Sequence, residues 1–235
     1  CIVNAEGKVV LERKVESEPG PVALVLQDYG TDLRLVGIEA SALGGWLQAE
    51  LAGRGFEAVV IEACHTHVAL STMRNKTDRN DARGIAQLMR LGWFKVVFVK
   101  SLEAQRLRML LGCRKSMVRK LVDVENEIRG TLRAFGLKVG SVSRGRFAAR
   151  VTVLSEQGDA LISELVLRML AVRATLLVEY RRMHLLVVKA TLADLVCRRL
   201  MTVPGVGAIA ALAFRTGVEA PQRFKRCRTV AAPLG

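Results

Sequence analysis

From Glu103 to Phe135, apolar residues return at alternating steps of three and four: Leu107, Leu110, Met117, Leu121, Val124, Ile128 and Phe135, with Arg and Lys between them. That spacing predicts one long helix with a coiled-coil seam, because only helical geometry lines these side chains along a single stripe. Arg114 falls on the same seam, where it weakens an ideal coiled coil and marks a polar contact or a packing switch. A second apolar helical region runs from about Asp159 to Met201, with arginines such as Arg168, Arg173 and Arg181 distributed through it. Two long antiparallel helices are the economical arrangement, packed either within one chain or against a second copy. The Gly- and Ser-rich, basic stretch from Gly136 to Gly145 reads as a linker lying within residues 136–158.

The amino-terminal part has a different period. Cys1 to Val3 and Lys8 to Val15 read as two arms of a hairpin around Asn4-Ala5-Glu6-Gly7. Pro21 to Tyr29 reads as a helix ended by Gly30. Leu33 to Glu39 and Phe56 to Glu62 are short apolar runs ending in Glu, separated by a helical segment through Trp46, Leu47 and Leu51. A strand, helix, strand unit of this kind forms a parallel sheet by right-handed crossover, and ligands bind outside the carboxyl ends of its strands. Glu39 and Glu62 both fall at that edge.

With 51% hydrophobic residues in 235, the chain can bury real cores, and a mostly disordered protein is excluded. Its 36 Lys and Arg against 22 Asp and Glu give a net charge of +14, which favours a polyanionic partner, nucleic acid first. An anionic membrane surface and generic solubility charge are the alternatives. No membrane span is expected, since Arg168, Arg173 and Glu179 interrupt the most apolar region before it reaches the roughly 20 residues required. The five cysteines are scattered and form no Cys-x-x-Cys pair, so a reducing cytoplasm fits better than a disulfide framework. Cys64, His65 and His67 lie close together but lack enough further ligands for zinc, and they read as structural.

The most pointed local pattern is Asn75-Lys76-Thr77-Asp78-Arg79-Asn80-Asp81-Ala82-Arg83-Gly84. Thr77 can cap a helix running on through Ile85, Leu88, Met89 and Leu91. Residues three apart share a helix face, so Asp78 and Asp81 project together. Carboxylate oxygens suit Mg2+, which keeps waters and phosphate oxygens in its shell and needs few protein ligands. The alternative is a polar helix start in which both Asp residues meet the helix dipole and pair with Arg79 and Arg83. Near the carboxyl end, Val203-Pro204-Gly205-Val206-Gly207 precedes an apolar helix. Its backbone amides could meet a DNA phosphate, or it could be a plain interhelical turn.

Together, Val36-Gly37-Ile38-Glu39-Ala40, the Asn75 to Ala82 stretch, and Val203 to Gly207 followed by Phe214-Arg215 resemble the DEDD transposases of bacterial insertion sequences. The resemblance implies an α/β plus all-α chain: a RuvC-like (RNase H-like) mixed sheet with helices, then long coiled-coil-like helices, then the start of a small helical domain. The implied domains are 1–100, 101–200 and 201–235, the last opening on a helix-hairpin-helix-like turn. Glu39, Asp78 and Asp81 are then the acidic metal ligands, Mg2+ the cofactor, and DNA the substrate of cleavage and strand exchange. Lys76, Arg79, Arg83, Arg114, Lys115, Arg119, Lys120, Gly205 and Gly207 are the expected nucleic-acid contacts. A structured guide RNA and a homo-oligomer formed through the helical region are the further partners it implies. The family's first Asp and its nucleophilic Ser are expected outside Cys1 to Gly235, so that both ends read as cut and the segment alone as inactive. The rival readings are a non-catalytic nucleic-acid-binding remnant and a nuclease of the Holliday-junction resolvase type.

Overall fold

The computed structural model describes residues 1–62 and 77–230. They belong to two compact units, Cys1–Lys100 and Ser101–Gly235.

The first unit opens with β1 (Ile2–Val3) and β2 (Val9–Leu11), an antiparallel pair. Its turn closes through the Asn4 side chain, whose Oδ1 accepts from the Lys8 amide at 2.8 Å, while Gly7 takes a φ of +82°. The returning arm is shorter than the Lys8 to Val15 expected, since its partner β1 offers only two residues to pair with. Helix α1 (Pro19–Gln27) starts on proline, whose fixed φ suits a first turn. It stops before Tyr29, and Gly30 opens a short 3-10 turn instead of capping the helix.

β3 (Val36–Glu39), α2 (Gly44–Gly53) and β4 (Ala58–Ile61) form the expected strand, helix, strand unit. The two strands are parallel and in register from Val36 opposite Ala58 to Glu39 opposite Ile61. Ala23, Leu26, Leu51 and Ala58 are buried between helices and sheet. Beyond helix α3 (Asp78–Arg90) the chain returns beside β4, where Val97 donates to the Val60 carbonyl at 2.8 Å and Val96 bridges Ile61 in antiparallel sense. The expected mixed sheet is therefore present in part among the described residues. They make two separate two-stranded sheets, with antiparallel pairing added at a single bridge.

The second unit is helical. Ser101 caps α4 (Leu102–Ala134), its Oγ accepting from the Ala104 amide at 3.2 Å, and Asp159 caps α6 (Ala160–Ala193) through the Ile162 amide at 2.8 Å. The two run antiparallel: Leu107 and Leu110 lie in the cluster with Val187, and Ile128 and Leu132 in the cluster with Ile162 and Val166. Their seam is intramolecular. Phe135, expected on it, is 59% exposed because α4 ends one residue earlier and the chain turns through Gly136 at a φ of +75°.

The stretch at 136–158 expected as a linker is packed instead. It carries α5 (Phe147–Ser155), and Val139, Phe147, Val151 and Leu154 join the core with Ile128 and Leu132. Asp194, in extended conformation, ends α6 and caps α7 (Leu195–Leu200) through the Cys197 amide at 2.8 Å. Burial, then the Asp194 charge, pushes the Cys197 thiol up to about 11, so it packs as a small apolar group. α8 (Ala208–Val218) closes the second cluster with Ala211 and Leu212 against Val187 and Cys197. Among the described residues, no helix is long and apolar enough to cross a membrane.

Candidate metal and nucleic-acid site

Thr77 caps α3 as the sequence predicts, with extended backbone and an Oγ1 that accepts from the Asn80 amide at 3.2 Å. Asp78 and Asp81 consequently occupy the first turn, where the helix dipole favours negative charge. Neither pairs with Arg79 or Arg83. Both arginines turn to Glu12, just past β2: Arg79 Nε donates to Oε2 at 2.6 Å, and Arg83 donates through Nε to Oε1 and through Nη2 to Oε2 at 2.9 Å. The Arg83 hydrogen bond holds the Glu12 carboxyl down at about 2, against partial desolvation and with help from Arg79. The alternative in which the aspartates neutralise their own neighbours is thereby corrected, and the two carboxylates keep no hydrogen-bond or ion-pair partner among the described residues.

Glu12 is the residue that sequence reasoning missed. It lies 67 and 71 positions from its partners, in a hairpin arm with nothing local to mark it. The same hairpin receives the rest of α3, since Gln87 Nε2 donates to the Gly7 carbonyl at 2.6 Å and Arg90 to the Ala5 carbonyl at 3.3 Å.

Glu39 ends β3 and is exposed. Glu62, following β4, is engaged by Lys95 at 2.9 Å. Among the described residues, no three His, Cys, Asp or Glu side chains converge as a metal group. α3 meets β3 through its last turn, where a Cβ on Gly37 would come within 2.6 Å of Met89 Sδ. Asp81 lies roughly 12 Å further back along the helix axis. The aspartate pair by itself suits a hard cation that completes its shell with water or phosphate oxygens.

The expected nucleic-acid contacts divide. Arg114 sits in the α4/α6 seam, donating to His184 Nδ1 at 3.3 Å and to the Tyr180 hydroxyl at 3.2 Å, with its guanidinium 5.2 Å from the Tyr180 ring. It is the polar contact that the seam position suggests. Lys115, Arg119 and Lys120 are exposed along α4. Gly205, at a φ of +85°, and Gly207, which precedes α8 without a side-chain cap, are exposed as well. Lys76 and the Cys64, His65, His67 group lie outside the described residues.

Residues 1–136 match a family described as transposase, the DEDD type represented by IS110. The whole chain aligns at 27% identity over 244 residues with the transposase for insertion sequence element IS1111A of Coxiella burnetii, covering 64% of that protein. Over 167 residues it is 29% identical to the probable family 20 transposase of Pseudomonas aeruginosa, an alignment covering 68% of this chain and 49% of the relative. The chain thus spans less than two thirds of the length of these curated relatives. Glu12, Glu39, Asp78 and Asp81 all fall inside the matched segment.

Proposed function

Because the chain belongs to the IS110-type DEDD transposase family, we propose that it supplies the metal-binding and nucleic-acid-holding part of an insertion-sequence transposase, an enzyme that cuts and rejoins DNA. The observation that carries this reading is the pair of unpartnered carboxylates, Asp78 and Asp81, on the capped first turn of α3. Glu12 satisfies the arginines beside them, so the pair remains available to a cation. Mg2+ bound there would stabilise charge on the attacking and leaving phosphate oxygens of DNA. Glu39 is the proposed third donor, at the carboxyl edge of the parallel strands.

The chain also holds nucleic acid in this reading. Lys115, Arg119 and Lys120 present charge along α4, and the Gly205-Val206-Gly207 turn presents backbone amides to phosphate. Arg79 and Arg83 keep further N–H groups for phosphate while bound to Glu12. DNA, a structured guide RNA and a second copy of the chain are the partners of this reading, in the cytoplasm. Exposed Leu161, Leu165, Val172 and Leu186 lie along one side of α6 and support the second copy.

Calorimetric titration of the chain with Mg2+ tests the site. Asp78→Asn and Asp81→Asn should each weaken binding at least tenfold, with unfolding curves unchanged, and should abolish recombination by a complete transposase that carries this segment. Unaltered Mg2+ affinity in both variants would refute the assignment. Glu39→Gln, titrated alongside, decides whether the strand end contributes a ligand.

A further inference from the structure

Between Arg129 and Arg150 the chain carries six basic residues and no Asp or Glu. The structure folds this stretch back on itself at one end of the helical unit. Arg129, Arg133 and Lys138 line an open groove of about 530 Å³ together with Val139 and Gly140. Glu125, one turn before Arg129 on α4, is already taken by Arg173 at 2.7 Å and Arg144 at 3.8 Å. None of Arg129, Arg133 and Lys138 forms an ion pair among the described residues.

Like charges crowded without counter-charge repel one another, yet this groove is rigidly built. Arg129 Nη1 donates to the Gly140 carbonyl at 2.6 Å, and Arg150 donates to the Val139 and Lys138 carbonyls at 3.5 and 3.4 Å. Val139, 5% exposed, anchors the connection in the core, and the Arg129 guanidinium lies 5.1 Å from the ring of buried Phe147. Each bound guanidinium spends only part of its five N–H groups, so charge and donors remain for a ligand. For Arg129 and Arg150 little ordering is left to be done on binding.

We propose that the groove formed by the end of α4 and residues 135–146 cradles the phosphodiester backbone of a nucleic acid. The cations there suit a phosphate's charge and its bidentate oxygens, and the Phe147 ring packed against Arg129 is buried, so it offers no face to a base. DNA and RNA offer the same phosphodiester. The choice of nucleic acid as the polyanion rests on the transposase reading; the groove itself does not.

The test uses the full chain in fluorescence anisotropy with a labelled DNA duplex and, separately, a labelled RNA strand, across about 50 to 200 mM salt. Arg133→Gln with Lys138→Gln is compared with Arg106→Gln with Arg108→Gln, which removes equal charge from exposed positions at the other end of α4. Arg133 and Lys138 side chains make no hydrogen bond within the described fold, so both variants should melt like the parent. The cradle variant should bind at least tenfold more weakly and lose about 2 from the slope of log affinity against log salt, with the control close to the parent. Loss on both probes marks backbone recognition, and loss on one identifies which nucleic acid the groove takes. Equal affinities for cradle variant and control would overturn the groove while leaving the transposase reading intact. A parent chain that binds neither probe would overturn both.

Discussion

Glu12 in the first unit and Glu125 in the second each hold two arginines, and their carboxylates are equally covered, at 16% side-chain exposure. The arginines differ. Arg79 and Arg83 are 69% and 42% exposed, whereas Arg173 is 5% exposed, hydrogen-bonded also to the Arg144 carbonyl at 2.8 Å and 4.8 Å from the Phe147 ring. A charge that water still reaches can lose its partner cheaply, while one withdrawn from water cannot. The cluster at Glu12 is thus an adjustable fastening between a hairpin and a helix. The one at Glu125 is a fixed element of the helical core.

Three measurements press on that contrast. Glu125→Ala leaves Arg173 buried without its counter-charge and should cost about 3 kcal/mol in urea unfolding. A loss under about 1 kcal/mol would make the two clusters equivalent. Replacing both partners, Glu125→Leu with Arg173→Met, should recover most of that loss, since the penalty belongs to the stranded charge. If the double variant is as unstable as the single one, the Arg144 carbonyl and the Phe147 ring, not charge balance, set the energetics. The smallest effect is expected at Glu12. Its carboxyl titrates near 2 in the folded chain and near 4.5 free, so its hold on α3 is complete above 4.5 and fades as the pH falls toward 2. Hydrogen exchange of α3 amides should show protection declining through that window in the parent, with no such step in Glu12→Gln.

What the sequence made legible was local. Thr77 and Asp159 announce their helices because a cap needs only the residue and the amides that follow it. The β3, α2, β4 unit was readable from two apolar runs and the helix between them. The long helices followed from periodicity, which marks a stripe without saying what covers it, so the choice between an internal partner and a second copy stayed open until α6 was seen against α4. The basic, glycine-rich connection read as a linker because its composition is that of a loop. One buried side chain, Val139, and the guanidiniums that hold its carbonyls make it part of the core instead. Nothing local could have shown Glu12 reaching α3, nor that α3 would meet β3 at Met89.

The antiparallel pair of α4 and α6 also fixes a length. Leu110 packs in the cluster that includes Val206 and Ile209, beside the Gly205-Val206-Gly207 turn, and Arg133 lines the basic groove. At about 1.5 Å per residue those two positions lie about 34 Å apart along α4. The helical unit is therefore a spacer that holds its bare-amide turn and its clustered cations that distance apart along one helix axis.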